Sequence, residues 1–263
     1  MTGGRTRSVL VEIVDGDGRR RGPDDLVVEE PLEIRLDGHL VATTMRTPGH
    51  DVELAAGWCH ADGLLAGARV LAVRHCGDGS TGIYNVIDVD TGGRAPTPTA
   101  RVGNVSSSCG LCGTVALTEL VERLGPLGEV ATHGSGLLSE VVERVTSGQS
   151  LFAETGAVHG AARFALDGSI GPLREDIGRH NAVDKVVGRL LLDDALPDVT
   201  DGLVVTGRAS FEMVQKAWAA GFGTVVAVSG PSALAVEAAR RAGMTLVGFA
   251  RSDRLNVYAG AVA

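Results

Sequence analysis

The sequence predicts a mixed α/β (α+β) protein, with a smaller β-rich N-terminal domain and a larger three-layer α/β domain after it. Three observations carry this. The first hundred residues hold short alternating or apolar runs separated by turn residues. A turn-rich stretch with two prolines, TGGRAPTPTARVGNVSSS (91–108), then interrupts the pattern. The last third, from LVVTG to TLVGFAR (203–251), alternates short apolar strands with amphipathic segments as β-α-β-α-β. The expected division is 1–104 for the β-rich domain, 105–134 for a cysteine-bearing loop and connecting helix, and 135–263 for the α/β domain.

Taken in order, LEIRL and LVATTM flank the turn DGH and predict a hairpin over 32–45. DVELAAGWCHADGLL (51–65) follows a Pro48-Gly49 break and predicts a short helix. RVLAVRHC (69–76) and GIYNVIDVD (82–90) predict strands. TVALTELVERL (114–124) has apolar residues at helical spacing, and a second helix is expected through LLSEVVERVTSGQSLF (137–152). GAVHGAARFAL, the turn DGS and IGPLRED predict a hairpin over 156–176. NAVDKVVGRLLLDD (181–194) then places Val183, Val186, Val187 and Leu190 on one helical face. The three strands of the last third are continuously apolar, as parallel strands covered on both faces are. Gly221 and Gly243 stand where the intervening helices should stop.

The order α-β-β-α-β-α-β-α-β in the second half resembles that of the cytidine-deaminase-like fold, an analogy of topology alone. The chemistry of that class is missing. A zinc deaminase needs H-x-E on the second helix and P-C-x-x-C on the third. Here RHNAVDK carries Ala182 at the glutamate position, and GRASFEM has no cysteine.

Composition narrows the function. A formal net charge of −8 argues against a nucleic-acid binder that works by broad phosphate neutralisation. An anionic ligand must therefore be held by a local site. MTGGRTRSVLVEIVDGDGRRR (1–21) lacks the apolar segment of a signal peptide, and no run approaches the roughly 20 apolar residues of a membrane span. A cytoplasmic protein with reduced thiols is the expectation. In open α/β sheets ligands bind beyond the carboxyl ends of the strands. Three such ends fall at TGRAS (206–210), VSGPS (228–232) and FARSDRLN (249–256). Their small residues allow close backbone approach, helix N-termini supply N–H groups, and Arg208, Arg251 and Arg254 add charge. They equally suit ordinary turns in which Ser210 and Ser232 cap helices. REDIGRHNAVDK (174–185) sets Asp176, Arg179, His180 and Asn181 before a helix, opposite those ends.

SSSCGLCGT (106–114) is the most reactive stretch. One CxxC supplies two ligands where structural zinc needs four, and an iron–sulfur cluster fails on the same count. Cys59 and Cys76 lie at unrelated spacing inside apparent secondary structure and are expected to be buried and inert. Cys109 and Cys112 open a helix, whose N-terminus lowers a thiol pKa. A thiolate there suits disulfide exchange and sulfur acceptance equally. A dithiol oxidoreductase, a sulfur carrier and a non-catalytic cofactor-binding chaperone all remain open on the residues alone.

CGLCG, REDIGRHNAVDK, GRASFEMVQKA, VSGPSALAVE and LVGFARSDRLNVYAG, in this order, resemble the formate dehydrogenase accessory sulfurtransferase (FdhD) family. EEPLEIRLDGHLVATTMRTPGHDVELAAGW looks like the family's N-terminal signature, so the resemblance runs from about Val27 to Gly260. It implies a sulfur carrier. A cysteine desulfurase loads a persulfide on Cys109, with Cys112 as its partner thiol. The sulfur then passes to the molybdenum (or tungsten) bis(molybdopterin guanine dinucleotide) cofactor, before that cofactor enters the formate dehydrogenase catalytic subunit. The resemblance assigns cofactor binding to Leu255, Asn256, Val257, Tyr258, Ala259 and Gly260. The strand-end residues Arg208, Ser210 and Arg251, with His180 opposite, are candidates for the same ligand, and a guanine nucleotide would mimic part of it. A homodimer is implied, with no nucleic acid and no membrane partner. TGAVHGAA (155–162) departs from the family pattern before the histidine, so no role comes over to His159.

Overall fold

The computed structural model describes residues 4–16, 18–76, 85–98, 113–252 and 254–263. A two-stranded hairpin comes first, β1 (Thr6–Asp15) with β2 (Gly18–Val27). A four-stranded sheet follows, of β3 (Glu30–Leu36), β4 (His39–Arg46), β5 (Ala72–His75) and β6 (Val86–Asp90), in the order β4-β3-β6-β5. The DGH hairpin is present between β3 and β4, with Asp37 at φ 48° and Gly38 at φ 81°, the left-handed pair that a two-residue turn requires. Leu32, Ile34 and Leu36 alternate inward on β3 and meet Ile87 and Val89 of β6. Helix α1 (Asp51–Ala61) closes this core with Leu54, Ala55, Trp58 and Cys59.

The second sheet is six-stranded and mixed. Its strands are β7 (His159–Phe164), β8 (Ile170–Asp176), β9 (Gly202–Val205), β10 (Thr224–Ala227), β11 (Thr245–Gly248) and β12 (Asn256–Ala259). They lie in the order β12-β11-β10-β9-β7-β8, with β9, β10 and β11 parallel. Helices α5 (Arg179–Leu192), α6 (Phe211–Ala220) and α7 (Ala233–Ala242), joined by α2 (Gly113–Leu124), cover one face. Helix α3 (Ser135–Ser147) covers the other. Leu203 and Val205 point to the first layer and Val204 to the second, so every residue of β9 is buried. That is why the strand reads as an unbroken apolar run.

Helices α1 and α5 cross at two glycines. A Cβ on Gly57 would lie 1.9 Å from the Asp184 carbonyl oxygen, and one on Gly188 would lie 1.7 Å from that of Glu53. Backbones this close fasten the four-stranded sheet's helix to the α/β layers. Ion pairs, one part-buried and one buried, flank the crossing. Arg174 of β8 grips Glu53 with Nη2 2.8 Å from Oε1. Lys216 of α6 holds Asp184 at 2.8 and 2.9 Å and stands 4.9 Å over the Trp58 ring.

The structure departs from the sequence reading at several points, beginning with the β1–β2 hairpin, for which the sequence reading assigns no strands. The helix expected over 137–152 is two: α3 ends at Gly148, and α4 (Ser150–Thr155) starts afresh. Thr146 and Ser147 hydroxyls donate to carbonyls of Val142 and Arg144 in the last turn of α3. Outside it, the Glu175 carboxylate accepts from Leu151 and Phe152 N–H groups and so anchors the start of α4. Helix α5 begins at Arg179, so Arg179, His180 and Asn181 form its first turn instead of preceding it. Segment 256–259 is an antiparallel edge strand on β11. Cys76, expected to be buried, is exposed just past β5, whereas Cys59 is buried and its thiol is pushed up to about 12 by that burial. Among the described residues no helix is long and apolar enough to cross a membrane.

Candidate functional site

The carboxyl ends of β9, β10 and β11 lie side by side, and backbone hydrogen bonds lace their turns together. Ser232 N–H donates to Ala209 C=O at 3.0 Å, beside a parallel bridge between Ala209 and Pro231. Phe249 N–H donates to Ser229 C=O at 3.2 Å. The three turns singled out by sequence therefore form one continuous rim.

Two side-chain clusters stand on it. The first gathers where β9 gives way to α6, across from the first turn of α5. His180 Nε2 lies 2.7 Å from Glu212 Oε2 and 3.4 Å from Ser210 Oγ. Ser210 occupies the N-cap position of α6 but makes no side-chain cap bond, so its hydroxyl is left to face the histidine. Ser232, in the equivalent position before α7, does cap, accepting from Ala235 N–H. The hydrogen bond from His180 holds the Glu212 carboxyl below its ordinary value. Gly207 presses its backbone on Arg179 and His159: a Cβ there would lie 3.4 Å from Arg179 Cδ and from His159 Nδ1. Burial lowers the His159 pKa, and the positive charges of Arg179, His180 and Arg208 lower it further. Four cationic or potentially cationic groups thus converge on this turn.

Asp176 sits beneath this cluster and serves the fold. It is fully buried, accepts from Thr47 N–H, Gly178 N–H and Asn181 Nδ2, and pairs with the Lys185 ammonium at 2.7 Å. Asn181 also donates to Met45 C=O. The charged stretch 174–185 therefore splits by depth. Asp176 and Asn181 anchor the helix start, while His180 turns to Ser210 and Glu212 and Arg179 lies against Gly207.

The second cluster lines a cleft of about 320 Å³ formed by Phe249, Arg251, Arg254 and Asn256. Arg251 N–H donates to Arg254 C=O at 2.8 Å, folding the loop back on itself. Of the segment 255–260, Asn256 lines this cleft and Val257 is exposed. Leu255, Tyr258 and Ala259 pack on the two apolar layers. Gly260 has φ 69°, and a Cβ there would meet Thr245 Oγ1.

Cys109 and Cys112 lie outside the described residues; α2, which follows them, begins at Gly113. The far end of α2 is fixed. Arg123 donates to Ala61 and Asp62 carbonyls, Trp218 Nε1 donates to Gly125 C=O, and Leu127 N–H donates to Ala242 C=O. All these partners lie at or near the carboxyl ends of α1, α6 and α7, away from the strand-end rim.

Sequence reasoning did not single out Glu212 or Phe249, and named Arg179 only as part of a charged run. Glu212 carried a signal in hindsight, as an acidic residue in the first turn of a helix.

Known proteins place the chain. A solved structure of a Desulfotalea psychrophila protein, described as a formate dehydrogenase accessory protein, superposes with a TM-score of 0.77, covering 97% of each chain at 24% identity. That likeness speaks for the fold. The sulfur carrier protein FdhD of Streptomyces coelicolor is 47% identical over 97% of this chain and 94% of its own length. That of Nocardia farcinica is 44% identical over 93% and 89%. The sequence pattern of the FdhD/NarQ family matches residues 27–262. With the match running almost end to end, the chain belongs to the FdhD/NarQ family.

Proposed function

We propose that this protein is a sulfur carrier for formate dehydrogenase. It takes sulfur from a cysteine desulfurase as a persulfide on Cys109 and passes it to the molybdenum bis(molybdopterin guanine dinucleotide) cofactor before that cofactor enters the enzyme. The observation that carries this reading is the pair CGLCG in a chain that matches curated sulfur carriers from end to end. The convergent cations at the strand-end rim support it, because they suit the phosphates of a guanine dinucleotide held by an otherwise acidic protein.

The chemistry balances on two thiols. The Cys109 thiolate attacks the outer sulfur of the donor's persulfide; one S–S bond forms as another breaks, and the donor leaves as a thiolate. Attack by Cys112 on the inner sulfur of the Cys109 persulfide then forms a disulfide and expels the outer sulfur as sulfide. The dithiol supplies the two electrons, and a thiol reductant restores it. Ser210, His180, Arg208, Arg251 and Asn256 bind and orient the nucleotide end of the acceptor. We place the protein in the cytoplasm as a homodimer, and read the strand order β8-β7-β9-β10-β11 as the cytidine-deaminase-like topology put to different chemistry.

Intact-protein mass spectrometry tests the carrier step. Wild type, Cys109→Ala and Cys112→Ala are incubated with a cysteine desulfurase and free cysteine, with and without a reductant wash. The expected result is a reductant-sensitive gain of one sulfur in wild type that Cys109→Ala lacks. Loss of two hydrogens across the pair without sulfur gain would make the protein a dithiol oxidoreductase. Equal cofactor binding and full formate dehydrogenase activation by Cys109→Ala would make it a chaperone.

A further inference from the structure

The β1–β2 hairpin stands apart from the apolar cores: none of its side chains belongs to the clusters that hold the two sheets. Its base is pinned, with Val28 N–H donating to Arg5 C=O at 2.8 Å and Arg5 Nη2 reaching Glu175 C=O at 3.5 Å. A two-stranded ribbon by itself is at best marginally stable in water. Yet β1 is apolar on both faces, with Val9, Val11 and Ile13 on one and Leu10 and Val14 on the other. That is the pattern of a strand covered on both sides. Leu10 and Val14, 68% and 61% exposed, are the most exposed large apolar side chains among the described residues.

The two edges of the ribbon differ. β2 carries Arg19, Arg20, Arg21, Pro23 and Asp24, the charges and proline that keep an edge from pairing. Between Val9 and Val14, β1 has Glu12 as its single charge and neither proline nor glycine. Among the described residues no third strand pairs with it. Every second residue of β1 reads Arg7, Val9, Val11, Ile13, Asp15. Laid antiparallel on a second copy about a two-fold axis at Val11, this row meets its own reverse. Arg7 faces the partner's Asp15 at each end, and Val9 faces the partner's Ile13. Asp15 also lies 3.7 Å from Arg20 of its own hairpin, and a carboxylate can accept from both. On the other face Leu10 falls diagonal to the partner's Leu10 and the partner's Val14. A shift of one residue loses the match: an axis at Glu12 sets two carboxylates face to face, and one at Leu10 sets Arg7 against the partner's Ile13.

We propose that the free edge of β1 is the docking surface for a second copy of this chain, the two hairpins joining about Val11 into one four-stranded antiparallel sheet. This rests on the reading that the protein is a homodimer, and adds the surface that makes it one.

Sedimentation velocity on the full chain tests it, with wild type beside Val11→Lys, which brings two ammonium groups together on the axis. Wild type should be a dimer, and Val11→Lys should dissociate at a concentration roughly tenfold higher or more. Cysteine cross-linking gives a second readout, which stands even if Val11→Lys fails to fold. Val11→Cys and Val14→Cys are each made in a Cys76→Ser, Cys109→Ala, Cys112→Ala background. Across the axis the two Val11 Cα atoms would lie about 4.5–5.5 Å apart, within the span of a disulfide. The two Val14 positions would lie six residues out of register, roughly 20 Å apart. Mild oxidation should therefore link Val11→Cys into a covalent dimer and leave Val14→Cys unlinked. A Val11→Lys dimer as tight as wild type, or a Val14→Cys protein that links as readily as Val11→Cys, would overturn the β1 interface while leaving the homodimer standing. A monomeric wild type would remove the homodimer itself, and this interface with it.

Discussion

The α1–α5 crossing makes the sharpest test of how this fold is held. Replacing Gly57 by alanine puts a methyl group 1.9 Å from the Asp184 carbonyl oxygen and 2.8 Å from the Gly188 nitrogen. Both are backbone atoms in a helix, so no side chain can swing aside. Ordinary contact requires the helices to part by on the order of 1.5 Å. A gap of that size forfeits half or more of the dispersion energy along the interface. Overpacking of this kind costs about 1–3 kcal/mol and more where backbone must move. The gain in helix propensity returns only about 0.5–1 kcal/mol. At the upper end of that range a net loss of about 2 kcal/mol lowers the melting temperature of a chain this size by roughly 4–8 °C. Gly136→Ala in α3 is the matched control, since nothing lies within 4 Å of its Cβ position. It should hold or slightly raise the melting temperature. Thermal unfolding followed by circular dichroism reads both. A Gly57→Ala protein that melts at or above wild type would refute the close crossing and the fastening of the two sheets through it.

Two further predictions concern charge. Burial works to raise the Glu53 carboxyl, but the Arg174 guanidinium and His50 outweigh it and hold it at about 2, below an ordinary value of 4.5. The stabilisation this gives is fully present above pH ~4.5 and is lost as pH falls toward ~2, up to about 3 kcal/mol in all. Urea unfolding at neutral pH and at pH ~3 should therefore show wild type losing more stability than Glu53→Gln over that interval; equal losses would remove Glu53 as the cause. At the rim, Arg208→Ala and Arg251→Ala should each weaken GDP binding by about 1–3 kcal/mol. Calorimetric affinities unchanged in both would put the anion site elsewhere.

What the sequence disclosed and what it hid follow one physical line: local patterns were legible and pairings across the chain were not. The parallel strands announced themselves because burial on both faces leaves no exposed position in TVVA or TLVG, and no charged one. Gly221 and Gly243 stopped helices as expected, at φ 100° and 74°, because a left-handed cap is a property of one residue. Gly57 and Gly188 are equally demanding but lie 131 positions apart in the chain, and each looks alone like a weak spot in a helix. TGRAS and VSGPS read alike, yet Ser232 caps its helix and Ser210 does not, and nothing within five residues of Ser210 says so. The difference is His180, which α5 brings opposite Ser210. LNVYAG drew a ligand-binding role by resemblance, and its four-residue edge strand was overlooked because the strand is pinned by contacts beyond the segment. Gly260 lies against Thr245, and Leu255, Tyr258 and Ala259 lie on two different apolar layers. Phe249 stands at the limit of this rule. Its left-handed backbone is local, but the clamp from Ser229 and Ala227 imposes it, and nothing in the turn FARSDRLN, singled out in the sequence for its small residues and arginines, signals that conformation.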